Sequence, residues 1–205
     1  MNALLFCNGE PPSGRLCRSL AGKADFILAA DGGANIARRY GIRPDCIIGD
    51  LDSITPGTRR FFRNTETVRV PTQESTDFEK ALAFLRKKGV AEVTIVGATG
   101  KRLDFTLGNL ASFWKFTRNF GVTFAGDNWT ACPVGRRTTL RARRGTTVSL
   151  LPFGACSGIT LRGLRYPLRN ATMRPGDIGV SNVVKRSPFS VSVRRGRMLL
   201  IMIPR

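Results

Sequence analysis

The chain has 205 residues, 33 of them Lys or Arg against 14 Asp or Glu, for a formal net charge of +19. It contains no histidine, which excludes Ser-His-Asp triads, Cys-His pairs and every His-containing zinc site, so acid–base chemistry falls to Asp, Glu, Lys, Tyr or bound water. Its longest apolar runs, such as 198–203, are far too short to cross a bilayer, and the opening MNALLFCNGE has no basic leader ahead of its apolar stretch.

The first part of the chain alternates strand and helix. Short apolar runs at 3–7, 26–30, 46–48, 93–96 and 122–125 read as strands, nearly continuous in apolar character, with helical stretches between them. The clearest helix opens on Thr76-Asp77-Phe78-Glu79, a capping box; Phe78, Leu82 and Leu85 mark its inner face and Gly89 ends it. A second helix is predicted over 102–118, with Leu103, Leu107, Leu110 and Trp114 facing inward. After Asp127 the period changes to strand-like runs at 146–153, 159–162, 189–193 and 198–203, punctuated by Gly and Pro, with 194–197 read as a hairpin turn. The fold class is therefore α/β: a mostly parallel sheet flanked by helices over 1–128, then a smaller antiparallel, sandwich-like all-β domain over 129–205, joined near 126–135.

Acids recur where those first strands end. One strand runs into Asp31-Gly32-Gly33-Ala34-Asn35, the next into Gly49-Asp50-Leu51-Asp52-Ser53, and a later one into Gly97-Ala98-Thr99-Gly100-Lys101-Arg102-Leu103-Asp104. Thr76 and Asp77 open the helix between the last two. Singly, each acid has a local account: Asp31 as a helix cap, Asp50 and Asp52 as turn formers, Asp77 and Asp104 as complements to helix dipoles. Together they put carboxylates on one edge of one sheet, the edge where open α/β sheets bind ligands. Asp50 and Asp52 repel at close range, on the order of 4 kcal/mol at ~4 Å and an effective dielectric near 20. A hard divalent cation such as Mg²⁺, held by carboxylates and substrate phosphates, offsets that repulsion. Gly32-Gly33 and Gly97 to Gly100 allow close backbone approach to a ligand, helix starts favour phosphate, and Arg102 can pair with phosphate oxygens. None of these segments is a Walker loop or GxGxxG.

The ordered set ADGGAN, IIGDLDS, TDFEKAL and GATGKRLD, followed by a β-rich tail containing GVSN, resembles the thiamine pyrophosphokinase (thiamin diphosphokinase) family over nearly the whole chain. The resemblance implies transfer of pyrophosphate from ATP to the hydroxyl of thiamine, giving thiamine diphosphate and AMP, with Mg²⁺, in a homodimer whose sites lie at the subunit interface. It implies that Asp50, Asp52, Asp77 and Asp104 hold metal or orient the triphosphate, and that Asp31 with the adjoining Gly32, Gly33 and Asn35 lines the same pocket. It further implies that Thr76, Thr99 and Arg102 contact nucleotide phosphates. Ser181 and Asn182 would help hold thiamine, from the partner subunit. Asp77 or Asp104 would take the hydroxyl proton. Three positions depart from the family pattern: Glu74 stands where Asp is usual before the TD motif, Phe105 where His often follows RLD, and Val183 where Glu often follows SN.

Two other readings compete. A non-catalytic relative would keep the nucleotide pocket and sense thiamine or a nucleotide, the reading that Phe105 and Val183 favour. A nucleic-acid-binding protein would exploit the +19 charge. The basic residues are spread, with concentrations at 136–144 and 194–197, and no aromatics interleave with them as in single-strand binders. Nucleic acid is therefore expected only as non-specific electrostatic binding. The five cysteines form no CxxC pair and read as reduced thiols of a cytoplasmic protein. Trp129 is a candidate to stack on the thiamine rings, against a plain role in the core.

Overall fold

The computed structural model describes residues 1–204, in two compact units, Met1–Asp127 and Asn128–Arg205. The first unit runs β1 (Asn2–Phe6), α1 (Gly14–Ala21), β2 (Phe26–Ala30), α2 (Gly33–Arg39), β3 (Cys46–Gly49), α3 (Pro56–Phe61), β4 (Glu66–Arg69), α4 (Asp77–Lys87), β5 (Glu92–Val96), α5 (Leu103–Ser112), a 3₁₀ turn (Phe113–Lys115) and β6 (Gly121–Gly126). Its strands lie in the order β6-β5-β1-β2-β3-β4, and every neighbouring pair is parallel. The chain first winds outward from β1 to β4, then returns to the other side of β1 with β5. That reversal between β1 and β5 is a topological switch point, where the crevice at the carboxyl ends of the strands is widest.

All strands but the edge strand β4 are apolar because both faces are covered. Leu4, Phe6, Ala29 and Ile47 pack with Ala34, Ile36 and Ala37 of α2, while Leu5, Leu28, Leu82, Leu85, Phe113 and Phe124 are also fully buried. At ~25 cal/mol per Å² of apolar surface, each fully buried Leu or Phe side chain stabilises the fold by about 1.5–3 kcal/mol before ordering entropy is charged against it.

Helix α5 differs from its expected form. It ends at Ser112, and Leu103 and Leu107 are 72% and 58% exposed. The helix is held instead by Asn109, which is buried and donates from Nδ2 to the Ala98 carbonyl at 2.8 Å, and by the aromatic cluster at its far end, where Phe113 meets Phe124 edge-on. The aromatics and Asn109 fix the rotation of the helix, and its leucine stripe faces away from this unit's core.

The second unit is all β: β7 (Trp129–Pro133), β8 (Thr138–Leu140), β9 (Thr147–Pro152), β10 (Cys156–Arg162), β11 (Ala171–Met173), β12 (Asn182–Val183), β13 (Phe189–Ser192) and β14 (Met198–Ile203). Strands in the order β12-β9-β14-β7 pair antiparallel, and so do β11-β10-β13-β8. Inward residues of both sets, among them Val148, Leu150, Ile159, Leu161, Val191 and Leu200, form one core, as in a sandwich. The segment 194–197 does not close a hairpin. β13 pairs with β10 and β8, whereas β14 pairs with β9 and β7, so the segment carries the chain from one sheet to the other. Trp129 is half-buried at the start of β7.

Candidate active site

Five loops meet at the carboxyl ends of the parallel strands. Directly after β2, Asp31 takes a left-handed backbone with φ of 42° and is only 5% exposed. After β3, Leu51 is left-handed at 72°; that turn separates the fates of its neighbours, leaving Asp50 half-buried and Asp52 exposed. Lys101, after β5, is left-handed at 57°. Non-glycine residues in this region of conformational space carry strain that a fold keeps mainly at functional sites.

Asp31, Asp50 and Asp77 converge. Each offers a carboxylate oxygen, and the three oxygens lie within 4.8 Å of one another. Burial is the main cause that pushes the Asp31 carboxyl above the ordinary range. The Ser53 and Gly32 donors pull it back, and the charges of Asp77 and Asp52 push it further up. Three mutually repelling acids, one of them dehydrated, with only oxygen donors offered, match the preference of a hard divalent cation. Asp77 Oδ1 accepts from Lys80 Nζ at 3.0 Å and from the Asp50 backbone N–H at 3.3 Å, so it is fixed from two sides. The Lys80 side chain is 4% exposed. Its interior position on α4 was invisible in the sequence, although its spacing of three from Asp77 is that of a helical ion pair.

Asp52 and Asp104 are not part of this convergence. Asp52 is exposed, donates its backbone N–H to Asp50 Oδ1 and accepts from Ser53 Oγ. Asp104 is paired with Arg102, and both side chains are about two-thirds exposed, at 63% and 68%. That partner is the main reason the Asp104 carboxyl is held below the ordinary range. The Arg102 guanidinium also sits 4.4 Å from the Phe105 ring centre, a cation–π contact that a histidine at this position would make only in its neutral form.

A cavity of about 330 Å³ opens beside the acids, lined among others by Asn8, Asp31, Ser53, Asp77, Lys101 and Asn109. Cys7 also lines it, but burial raises its thiol pKa far above the usual value, so it is a neutral wall and not a nucleophile. Thr76 and Arg102 reach this cavity; Thr99 is half-buried, and its carbonyl accepts the Glu10 N–H at 2.7 Å. Asn35 holds the β3–α3 loop instead, donating to the Ser53 carbonyl and accepting from Thr55. The glycines make room for protein. A Cβ on Gly33 would fall 2.2 Å from the Phe6 carbonyl oxygen, and one on Gly32 would strike the Asn8 side chain. Gly9 and Gly97 touch across the switch point, where the Gly9 N–H donates to the Gly97 carbonyl at 2.6 Å and a Cβ on Gly9 would meet that oxygen at 2.4 Å.

In the second unit, Asn182 is buried and bonded through both ends of its amide: Oδ1 accepts from the Tyr166 and Val183 N–H groups and Nδ2 donates to the Tyr166 carbonyl. Ser181 is exposed and left-handed, with φ of 64°, and its N–H donates to Ser149 Oγ. Asn8, Ser53, Lys80, Lys101 and Asn109 were not singled out from the sequence. They are ordinary polar residues, and only the parallel order of the strands brings them to one rim.

Comparison with known proteins bears on both units. The sequence profile of the thiamin pyrophosphokinase catalytic domain matches residues 17–124, and that of the thiamin pyrophosphokinase vitamin B1 binding domain matches 137–198. A rice (Oryza sativa subsp. japonica) protein named thiamine pyrophosphokinase 3 is 30% identical over 93% of this chain and 82% of its own length. Thiamine pyrophosphokinase of Bacillus subtilis is 27% identical over 85% of both. In fold, the chain resembles the crystal structure of thiamin pyrophosphokinase from Geobacillus thermodenitrificans, with a TM-score of 0.88 at 22% identity over 100% of this chain and 98% of that one. With one family profile spanning more than half of the sequence and another following it in order, the chain belongs to the thiamin pyrophosphokinase family.

Proposed function

We propose that this protein transfers the pyrophosphoryl group of ATP to the hydroxyl of thiamine, yielding thiamine diphosphate and AMP. The observation that carries the reading is the convergence of Asp31, Asp50 and Asp77 beside a cavity at the switch point, in a chain of this family. These three residues would hold Mg²⁺, which when bound supplies positive charge to phosphate oxygens and relieves the repulsion among the acids. In the transfer, a bond forms between the thiamine hydroxyl oxygen and the β-phosphorus. The bond from that phosphorus to the oxygen shared with the α-phosphorus breaks, and AMP leaves with the electron pair. Positioning and charge stabilisation dominate such reactions, so the absence of histidine is no obstacle.

The protein's own groups have distinct parts in this scheme. Lys80 and the Asp50 N–H occupy Asp77 Oδ1, which leaves Asp77 Oδ2 as the oxygen open to the metal or, where Asp31 and Asp50 carry the metal, to the hydroxyl proton. Asp104 is a poorer acceptor because Arg102 already claims both of its oxygens. Lys101 and Arg102 line the cavity and are the cations offered to the phosphates. Ser181, exposed on a strained turn, is the thiamine contact of the second unit, and Asn182 shapes that turn from beneath.

The protein acts as a homodimer in this reading, supported by the exposed leucines of α5. Its five free thiols fit the reducing cytoplasm, and no helix among the described residues is long and apolar enough to cross a membrane. The test is AMP release measured with ATP, thiamine and Mg²⁺, omitting each in turn. AMP and thiamine diphosphate in equal amounts, requiring all three, is the expected result. Binding of both substrates without AMP release would instead identify a sensor, in line with the departures at Phe105 and Val183.

A further inference from the structure

The charge of this chain is unevenly divided. Residues 1–127 carry 18 basic and 13 acidic side chains, whereas residues 128–205 carry 15 basic and one acidic, Asp177. A compositional bias of the genome would colour both parts alike, so the imbalance belongs to the second unit itself. Fourteen of its 15 basic residues are arginine. Asp177 is consumed in a turn, accepting the Arg174 N–H at 2.7 Å. All three ion pairs among the described residues lie in the first unit.

Part of this charge is organised into a cleft of about 620 Å³, lined by Arg136, Arg194, Arg195, Thr160, Asn170 and Ser192. Thr160 of β10 and Ser192 of β13 are direct cross-strand partners. They are half-buried, while their neighbours Ile159, Leu161 and Val191 face the core, so the cleft is the outward, polar face of this sheet. A register shift in β10 between Ser157 and Ile159 bends the strand there, a device common beside binding sites. Gly158 lies in that bulge at φ of 69°, and a Cβ on it would come within 2.5 Å of Arg194 Cβ. The arginine segment is pinned by backbone bonds: the Ser157 N–H donates to the Arg195 carbonyl, and the Arg194 N–H donates to the Ser157 carbonyl. Asn170 is left-handed at 50° and donates its N–H to Thr160 Oγ1.

We propose that this cleft is a second binding site, which takes consecutive phosphate groups. Guanidinium forks match phosphate oxygens in pairs, and side-chain hydroxyl and amide donors complete the coordination. No carboxylate lines the cleft to repel an anion, and no aromatic ring lines it to stack a base, so recognition is of the phosphate chain and not of a nucleobase. Phosphates in series occur in a nucleic-acid backbone and in a free oligophosphate, and the experiment separates these sources.

The full chain is titrated, in EDTA to keep metal-bound phosphate away from the acids of the first unit, with a labelled DNA duplex of about 20 base pairs and with tripolyphosphate. The site variant Arg136→Ala/Arg194→Ala/Arg195→Ala is compared with Arg141→Ala/Arg143→Ala/Arg144→Ala, which removes the same charge elsewhere in the unit. The expected result is a loss of about tenfold or more for the site variant and under about threefold for the control. For the duplex, the slope of log affinity against log salt flattens by about 2–3 in the site variant only. Displacement of the duplex by tripolyphosphate at equal phosphate concentration identifies a free oligophosphate as the ligand; a duplex that resists displacement identifies the nucleic-acid backbone; either supports the site. Equal losses in the two variants, or no binding of either probe by the wild type at about 0.1 M salt, overturns it. Circular dichroism checks folding. Should the alanine variant unfold, the triple Lys variant at the same positions is read instead: about threefold loss supports the forked contacts, and unchanged affinity overturns them.

Discussion

Helices α4 and α5 both begin at the rim of the parallel sheet, and both carry an acid in the first turn with a base beside it. The similarity ends there. Thr76 caps α4 in a reciprocal box with Glu79, Lys115 closes on Glu79 at 2.6 Å, and Asp77 is clamped by a lysine that solvent scarcely reaches. Helix α5 has Arg102 at its N-cap with no side-chain cap bond, its ion pair lies in water, and Leu103 and Leu107 are bare. One helix start is rigid before any ligand arrives. The other has its polar groups balanced against solvent, so exchanging their partners costs little. In the proposed reaction this difference suits the clamped acid, Asp77, to the reacting centre, and the exposed Arg102 to contact with phosphate.

That contrast is open to attack by mutation. The largest expected effect is on turnover: Asp77→Asn lowers kcat by about 10³-fold or more at saturating Mg²⁺, as for loss of a principal electrostatic or acid–base group, while Asp104→Asn lowers it less than about tenfold. Equal losses, measured by AMP release, would erase the distinction. Next comes stability. Lys80→Met leaves the Asp77 carboxylate, 26% exposed, without its counter-charge, and is expected to cost about 2–3 kcal/mol, below the figure for a fully buried pair. Arg102→Met is expected to leave the urea midpoint unchanged.

Asp31→Asn has the opposite sign. A carboxyl whose pKa is raised on folding adds stability below its unfolded value, and that contribution fades as pH climbs through the folded one. In EDTA at neutral pH the variant is therefore expected to melt about 2–4 °C above wild type, the shift that ~1 kcal/mol gives a chain of this size. The gain vanishes in acid, and Mg²⁺ no longer raises the melting temperature of the variant. An effect of similar size but destabilising sign belongs to the cap. Burial works against the Glu79 carboxylate, but Lys115 and Thr76 outweigh it and hold its pKa down. Its contribution is thus present above the ordinary carboxylate pKa and lost as pH falls through the lowered value. Glu79→Gln is expected to cost about 1 kcal/mol at pH 7 and progressively less below about pH 4.

Five of the six strands in the first unit were legible because each is a short apolar run, and Thr76 to Glu79 announces its helix; the edge strand β4, Glu66–Arg69, was not, because its residues are polar and mostly exposed. The acids were legible as a set because they follow strands, and parallel strands share one end. Which three of them converge was not. That depends on the left-handed turn at Leu51, and nothing about a leucine announces such a turn. Lys80 was missed because a lysine three residues after an aspartate normally reaches for water. The stripe of Leu103 and Leu107 was assigned to the core because periodicity reports that a face is apolar and says nothing about what covers it. Arg194-Arg195-Gly196-Arg197 has the chemistry of a turn, but turn chemistry does not say which sheet the next strand enters.

The contact between Gly9 and Gly97 has a mechanical consequence. Two further bonds reinforce it, from the Glu10 N–H to the Thr99 carbonyl and from Lys101 Nζ to the Asn8 carbonyl. The loops after β1 and β5 therefore travel as one jaw, and neither gives way alone when a bulky anion arrives. Widening of the crevice falls to the other segments that line it, among them those of Asp31, Ser53 and Thr76.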